Sequence, residues 1–367
     1  MGLLNALSNS AERRRTMDGP GGPASDTPGN PPTIGDVARR AGVSKGAVSL
    51  ALNGKPGVSE ETRRRITEVA EQLNWRPSIH ARAMLRSRAF AVGLVLARDT
   101  QHLAVDPFFA GFLGGVESVL AGSGSVLVLQ VVGEDAETEA ESYRRLVRER
   151  RIDGAFLLDI REGDQRLDLL PRLRLPAVAV GPAGMDCGRI PVVGIRDGDG
   201  IGAAVEHLAG LGHRRIGFVE GAPAYRHSTS RLDAWRQAML SRGLPADLHD
   251  AGHFTGQGGA AATRRLLDGR PTAIIYASDL MAIAGMSVAR EAGLELPGDL
   301  SVTGFDDNPE AAHLHPPLTT VKQDPVAVGA LAAEVLLAQI DGRHITPEPP
   351  APQLIVRAST APPSPRR

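Results

Sequence analysis

At 367 residues, with 42% hydrophobic and 23% charged side chains, the chain carries apolar material for two or three domains rather than one. No run approaches the ~18 apolar residues of a membrane span, and the opening segment is too short and too polar for a signal peptide's apolar core. Cys187 stands alone, which excludes an intrachain disulfide and fits a reducing cytoplasm. The net charge of −1 hides an asymmetry: between Thr33 and Arg88 eleven Lys or Arg face five acids, so the remainder is acidic. A basic module on an acidic body suits attraction to phosphates.

Residues 1–32 are rich in Gly, Pro, Ser and Asn, lack periodicity, and read as a disordered tail in which Met17 is an alternative start. Ile34, Val37, Ala38 and Ala41 then recur at helical spacing, and Gly42 supplies a left-handed corner. Ser44 is a suitable N-cap for a second helix burying Ala47, Val48, Ala51 and Leu52. Lys45, Gly46, Ser49, Leu50 and Asn53 remain on its outer face. Two short helices joined in this way form a helix-turn-helix whose second member can enter a DNA major groove. Ser59 caps a third helix with Ile66, Val69, Ala70 and Leu73 as its core face, and Trp75-Arg76-Pro77 ends it. Residues 78–86 are long enough for one further, very short helix.

From Phe90 to Ala97 the chain reads as a buried parallel strand. Asp106-Pro107-Phe108-Phe109 opens a helix through Val119. Strands over Val126–Val132, Gly154–Ile160, Ala177–Gly181 and Val192–Ile195 follow, with a charged helix over Glu137–Arg150. The rhythm restarts after His207. There Arg215–Glu220, Thr272–Ala277 and Ser301–Phe305 are predicted strands, and Leu232–Arg242, Gly258–Leu267 and Leu280–Ala292 are predicted helices. Leu318–Val321 and Gln353–Ser359 follow as later strands. The alternation predicts two lobes of doubly wound α/β structure with a ligand cleft between them. Gly198-Asp-Gly200-Ile-Gly202 has the wrong glycine spacing for a dinucleotide loop. No Cys/His cluster suggests a metal, and no G-x-S-x-G elbow marks a nucleophile.

The segment Thr33 to Arg88 resembles the DNA-binding headpiece of the LacI/GalR family of bacterial transcription regulators. Asp36-Val37-Ala38, Ala41-Gly42-Val43-Ser44, Val48-Ser49, Leu52-Asn53-Gly54, Val58-Ser59, Thr62-Arg63 and Pro77 with Ala81-Arg82 carry the match. The body is similar to that family's effector domain, itself like periplasmic sugar-binding proteins. It matches through Leu211-Gly212-His213-Arg214-Arg215-Ile216, Arg231-Leu232 with Trp235, Ser278-Asp279 with Met281-Ala282, Gly304-Phe305-Asp306-Asp307, and Pro317-Leu318-Thr319-Thr320-Val321 with Gln323.

The resemblance implies an all-α helix-turn-helix headpiece (33–76), a hinge (77–88) and a two-lobed periplasmic-binding-protein-like α/β body (89–361), with a tail at 362–367. Lobe one is expected over 89–195 plus a return near 308–325, and lobe two over 196–307 plus 326–361. Lys45, Gly46 and Leu50 would face base edges of a pseudo-palindromic operator, with Ser44, Ser49 and Asn53 nearer phosphates and Thr33 also in contact. Ala81, Arg82 and the wedge Met84 would act in the minor groove, from a hinge too short to be helical without DNA. Asp106, Phe108, Arg231, Ser278, Asp306 and Gln323 would bind a small effector, with Asp197, Phe254 and Asp279 in supporting places. The expectation is a cytoplasmic homodimeric repressor that answers to a sugar and needs no cofactor, metal or membrane. A purine-type corepressor, a sugar-binding transport protein and an enzyme are the rival readings.

Overall fold

The computed structural model describes residues 32–52, 54–75, 88–98, 106–133 and 135–364. The chain divides into two compact units, Met1–Ala81 and Arg82–Arg367, and each is taken by itself. Residues 1–31 of the tail predicted at 1–32 and the predicted hinge helix lie outside the described residues, as do Asn53, Ala81, Arg82 and Met84.

The first unit holds three helices, α1 (Ile34–Ala41), α2 (Lys45–Leu52) and α3 (Glu60–Gln72). Two of them are eight residues long, below the ~12 residues at which isolated helices become marginal, so packing must hold them. Val37, Val48 and Ile66, one from each helix, are fully buried at the centre, each burial contributing roughly 1.5–3 kcal/mol. The Asp36 carboxylate accepts from the Thr33 N–H at 2.9 Å and from its hydroxyl at 2.7 Å. Gly42 closes α1 at φ 67°, the left-handed conformation that the corner requires. Ser44 Oγ accepts from the Ala47 N–H at 3.1 Å, and Ser59 Oγ from the Thr62 N–H at 3.3 Å. These are the starts read from the sequence.

In the second unit, β1 (Ala91–Ala97), β2 (Val126–Val132), β3 (Gly154–Leu157), β4 (Ala177–Pro182) and β5 (Val192–Ile195) form a parallel sheet in the order β2-β1-β3-β4-β5. Every residue of β1 is buried. Val92, Leu94 and Leu96 enter one core and Val95 the other, as a strand covered on both faces must. The helices of this lobe include α4 (Pro107–Ser123), α5 (Ala136–Arg148) and α6 (Arg166–Arg172), the last missed by the sequence reading.

The second sheet contains β6 (Ile216–Glu220), β7 (His249–Ala251), β8 (Ala273–Tyr276), β9 (Ser301–Asp306), β10 (Thr319–Lys322) and β11 (Gln353–Ile355). Its order is β11-β10-β9-β8-β6-β7, parallel except for the β10–β11 pair. Around it lie α7 (Asp197–Gly210), α8 (Arg226–Leu240), α9 (Gly256–Asp268) and α10 (Asp279–Glu291). The short β7 was not foreseen, and α8 begins at Arg226 rather than Leu232, one and a half turns earlier.

One boundary needs correction. The stretch near 308–325 was expected to return to lobe one, but β10 pairs with β9 in the second sheet. The returning element is α11 (Pro325–Ile340), whose Val328, Ala332, Ala333, Val335 and Leu336 join the first lobe's core. The chain then returns once more to lay β11 against β10. Three segments therefore join the lobes, after β5, after β10 and after α11. Among the described residues no helix is long and apolar enough to cross a membrane.

Candidate functional site

On the first unit, Lys45 and Gly46 of α2 are exposed, while Ser49 and Leu50 are half-buried. Thr33 and Ser44 are exposed but already engaged in helix starts. A Cβ on Gly35 would lie 3.2 Å from Lys45 Cε, so the Lys45 side chain lies back over Gly35 at the start of α1. Lys45 is thus the one hydrogen-bonding side chain fully presented among the three residues expected to meet base edges.

On the second unit a cleft lies between the lobes and encloses about 740 Å³, open solvent at its mouth included; small-ligand sites are commonly found in such concave places. Eight of the nine effector candidates line it, Asp106, Phe108, Asp197, Arg231, Phe254, Ser278, Asp306 and Gln323, and Asp279 does not. Topology explains the convergence. Ser278, Asp306 and Gln323 stand at or just beyond the carboxyl ends of β8, β9 and β10, where open α/β sheets place ligands.

The same rule admits residues that the sequence reading missed. Arg98 follows β1 and Asp159 follows β3, and both line the cavity, as do His227 and Asn308. Arg98 is gripped by Asp159 through Nε (2.5 Å) and Nη2 (2.7 Å), and donates from Nη1 to Asp106 at 3.1 Å. Its guanidinium also lies 4.7 Å from the Phe109 ring centroid and 5.3 Å from that of Tyr225. Asp106 caps α4 as well, accepting from the Phe108 N–H at 3.1 Å. Arg231 donates to the Ala277 carbonyl at 2.7 Å and to Asp197 at 3.2 Å, with its guanidinium 3.8 Å from the Phe305 centroid. Both cavity cations are therefore already matched by carboxylates.

Three side-chain atoms around this wall are buried without a hydrogen-bond partner: Asp197 Oδ2, Arg231 Nε and Gln323 Oε1. The Gln323 amide donates its own N–H to Asp306 at 2.8 Å. Burial raises Asp306 well above the usual carboxylate range and raises Asp197 against the pull of Arg231. It raises Asp106 against the pull of Arg98. Burial opposes ionisation of Asp159 too, but Arg98 prevails and holds it below the usual value. His227 is pushed down to about 3 by burial and by Arg231, so it is a neutral imidazole at physiological pH. It stacks between Tyr225 (5.5 Å) and Phe254 (5.3 Å), so both of its ring faces are covered, and His227 and Phe254 of this stack line the cavity. Asp306 and Asp307 hold φ values of 113° and 56°, strained for residues with a Cβ.

Asp279 is not on the wall but behind it. It is fully buried, accepts from the Thr320 hydroxyl at 2.5 Å and from the Asn308 N–H at 2.8 Å, and so pins the turn that carries Asp306. Burial raises its pKa to about 7. A carboxyl raised in the folded state contributes stability below its unfolded value near 3.8 and loses that contribution as pH rises through about 7. Asp279→Asn is accordingly expected to flatten the fall in stability between pH 6 and 8 by about 1 kcal/mol. Thermal melts of both proteins across that range measure it; parallel curves would contradict the assignment.

The lobes also meet at the rim: the Arg226 N–H donates to the Ile160 carbonyl at 2.8 Å, and Arg226 pairs with Glu162. His249 and His253 stand four residues apart, but no group of three His, Cys, Asp or Glu able to hold a metal occurs among the described residues.

Comparison with known proteins yields two family matches. Residues 33–78 match the model described as bacterial regulatory proteins, lacI family, and residues 205–360 match a periplasmic binding protein-like domain. The chain is 34% identical over 321 residues to the HTH-type transcriptional regulator CelR of Thermobifida fusca, covering 86% of this chain and 94% of that one. It is 33% identical to the HTH-type transcriptional regulator MalR of Streptomyces coelicolor, with 89% and 96% covered. Among solved structures it is similar to a transcriptional regulator CelR–cellobiose complex (33% identity, TM-score 0.69, 89% of this chain and 99% of that one). It also resembles a lac repressor dimer bound to operator and an anti-inducer (26% identity, TM-score 0.78, 90% and 100% covered).

Proposed function

The chain belongs to the LacI family of bacterial regulatory proteins and is a DNA-binding transcription regulator, and from that premise we propose that it is a cytoplasmic, homodimeric repressor released or engaged by an uncharged sugar. The carrying observation is the chemistry of the cavity. Among the described residues its two guanidiniums are matched internally, so a phosphate or carboxylate finds no unpaired cation there, whereas hydroxyl groups find acceptors at Asp197 Oδ2, Gln323 Oε1 and Asp306. The aromatic side chains on the cavity lining, Phe108, Phe109, His227 and Phe254, offer apolar surface to a sugar ring. The cellobiose complex of the CelR relative supports the same class.

Ligand that binds the closed arrangement of the lobes better than the open one shifts their equilibrium, and the headpieces' hold on two half-sites changes by that differential affinity. Paired chains are favoured by the edge strand β2, which leaves Val126 and Leu129 exposed, and by the dimeric lac repressor relative. The test is a gel shift with a duplex that the protein selects from a random pool, run with cellobiose, maltose, glucose 6-phosphate and hypoxanthine. A neutral disaccharide is expected to change the shift. A response to the phosphate or the purine alone would overturn the ligand class.

Lys45→Ala is expected to lower affinity for the selected duplex by about 10- to 100-fold, in line with ~1–3 kcal/mol for a base contact, and affinity for a scrambled duplex far less. Titrations of both at one salt concentration decide; equal losses would place Lys45 on phosphates.

A further inference from the structure

Arg63 looks by charge like one more phosphate-seeking cation of a basic module. Its surroundings give it different work. The helix expected to read bases, α2, ends at Leu52, and the last carbonyls of any helix lack intrahelical partners and carry the negative end of its dipole. Two of them are met by backbone: the Lys55 N–H donates to the Leu50 carbonyl at 3.0 Å and the Gly54 N–H to the Ala51 carbonyl at 3.3 Å. Arg63, one turn into α3, adds a second donor to each of these two and reaches into the turn that follows. Its Nη1 donates to the Leu50 carbonyl at 3.4 Å and to the Ala51 carbonyl, and its Nη2 donates to the Lys55 carbonyl at 2.9 Å. Its Nε faces Glu60 at 3.6 Å. Only 22% of the side chain is exposed, against 77% for neighbouring Arg64.

We infer that Arg63 is a positioning residue: its planar fork clamps the C-terminal end of α2 and the turn after it to α3, which sets the angle at which Lys45, Gly46 and Leu50 meet bases. The inference deepens the DNA-reading assignment of α2 and rests on it. A fork that spans three carbonyls is a task for which lysine's single ammonium is no substitute. A phosphate contact, in contrast, accepts either cation.

The experiment compares Arg63→Lys and Arg63→Gln with the unaltered full chain, on the selected duplex and a scrambled one, across a salt series. Both variants are expected to lower the ratio of selected to scrambled affinity by about tenfold or more, the loss of charge-assisted hydrogen bonds. The slope of log affinity against log salt is expected to stay unchanged. Amide exchange is expected to speed up at Gly54 and Lys55 and to hold at Val37 and Ile66. Two results would overturn the proposal: a Lys variant with the original ratio, or a Gln variant whose slope falls by ~0.9 on both duplexes, the signature of one lost phosphate. Loss of protection throughout the headpiece would reduce Arg63 to a general fold contact and overturn it equally. If no duplex is ever selected over its scrambled control by the unaltered chain, the reading of α2 fails first and separately.

Discussion

Arg231→Ala is expected to give a protein that holds its operator but no longer answers to any sugar. The guanidinium occupies the centre of the second-lobe wall, between the Ala277 carbonyl, Asp197 and the face of Phe305. Removing it takes away a donor at the cavity and leaves Asp197, 1% exposed, without its cation. Breaking a buried pair from one side typically costs about 3–5 kcal/mol. Here the raised pKa of Asp197 offers an escape through protonation, so about 3 kcal/mol is expected. A stability loss of that size can imitate a binding defect, and a second variant separates the two. Arg231→Met combined with Asp197→Asn removes both charges, fills the space, and should recover most of the stability. It should remain unresponsive, because the donor is still missing. Calorimetric melts give the stability, and sugar-dependent gel shifts give the response. A double variant that regains both would show that Arg231 only neutralises Asp197 and does not touch the ligand.

The parts of this molecule that were legible in the sequence are those in which neighbours along the chain are also neighbours in space. The spacing of Ile34, Val37, Ala38 and Ala41, with Gly42 behind it, places α1 and its corner, because one helix face is all that the pattern needs. The fully apolar run at Ala91–Ala97 declares a strand covered on both sides. The second-lobe wall was found through motifs that sit on strand ends. Arg98 and Asp159 were not, although each follows an apolar strand directly or nearly so, and that position was the available signal. They are 61 residues apart, and only the adjacency of β1 and β3 in the sheet turns two ordinary surface residue types into a buried pair. His227 was passed over because α8 starts six residues earlier than its apolar pattern does. The placement of α11 failed for a related reason. Pro-Val-Ala-Val-Gly-Ala-Leu-Ala-Ala is apolar on every side, so it has no stripe to say which sheet it covers. Arg63 shows the limit of counting charge, since its cation is spent on carbonyls of its own chain.

Two adjacent glycines in α4 are expected to respond to alanine with opposite signs. A Cβ on Gly115 would lie 2.0 Å from the Val326 carbonyl oxygen and 2.8 Å from the Ala330 nitrogen, and one on Gly329 would lie 2.1 Å from the Phe112 oxygen. The helices α4 and α11 therefore cross backbone against backbone, each using a glycine to admit the other. What a methyl at Gly115 meets is main chain rather than the end of a flexible side chain, so the helices must separate. Overpacking of that kind costs about 1–3 kcal/mol or somewhat more, and Gly115→Ala is expected near the upper end, with a fall in melting temperature of about 6–12 °C. A Cβ on Gly114 meets nothing within 4 Å. Alanine there removes backbone freedom from the unfolded chain and improves helix propensity, a gain of about 0.5–1 kcal/mol. The Gly115 variant should also bind its sugar more weakly. The first turn of α4 carries Asp106 and Phe108, and α11 begins two residues after Gln323, so parting the helices moves the first-lobe wall against the segment that crosses from the second. Melting curves and sugar titrations of the two variants decide the matter: if both alanines shift stability in the same direction, the close crossing does not hold α4 against α11 in the way this geometry requires.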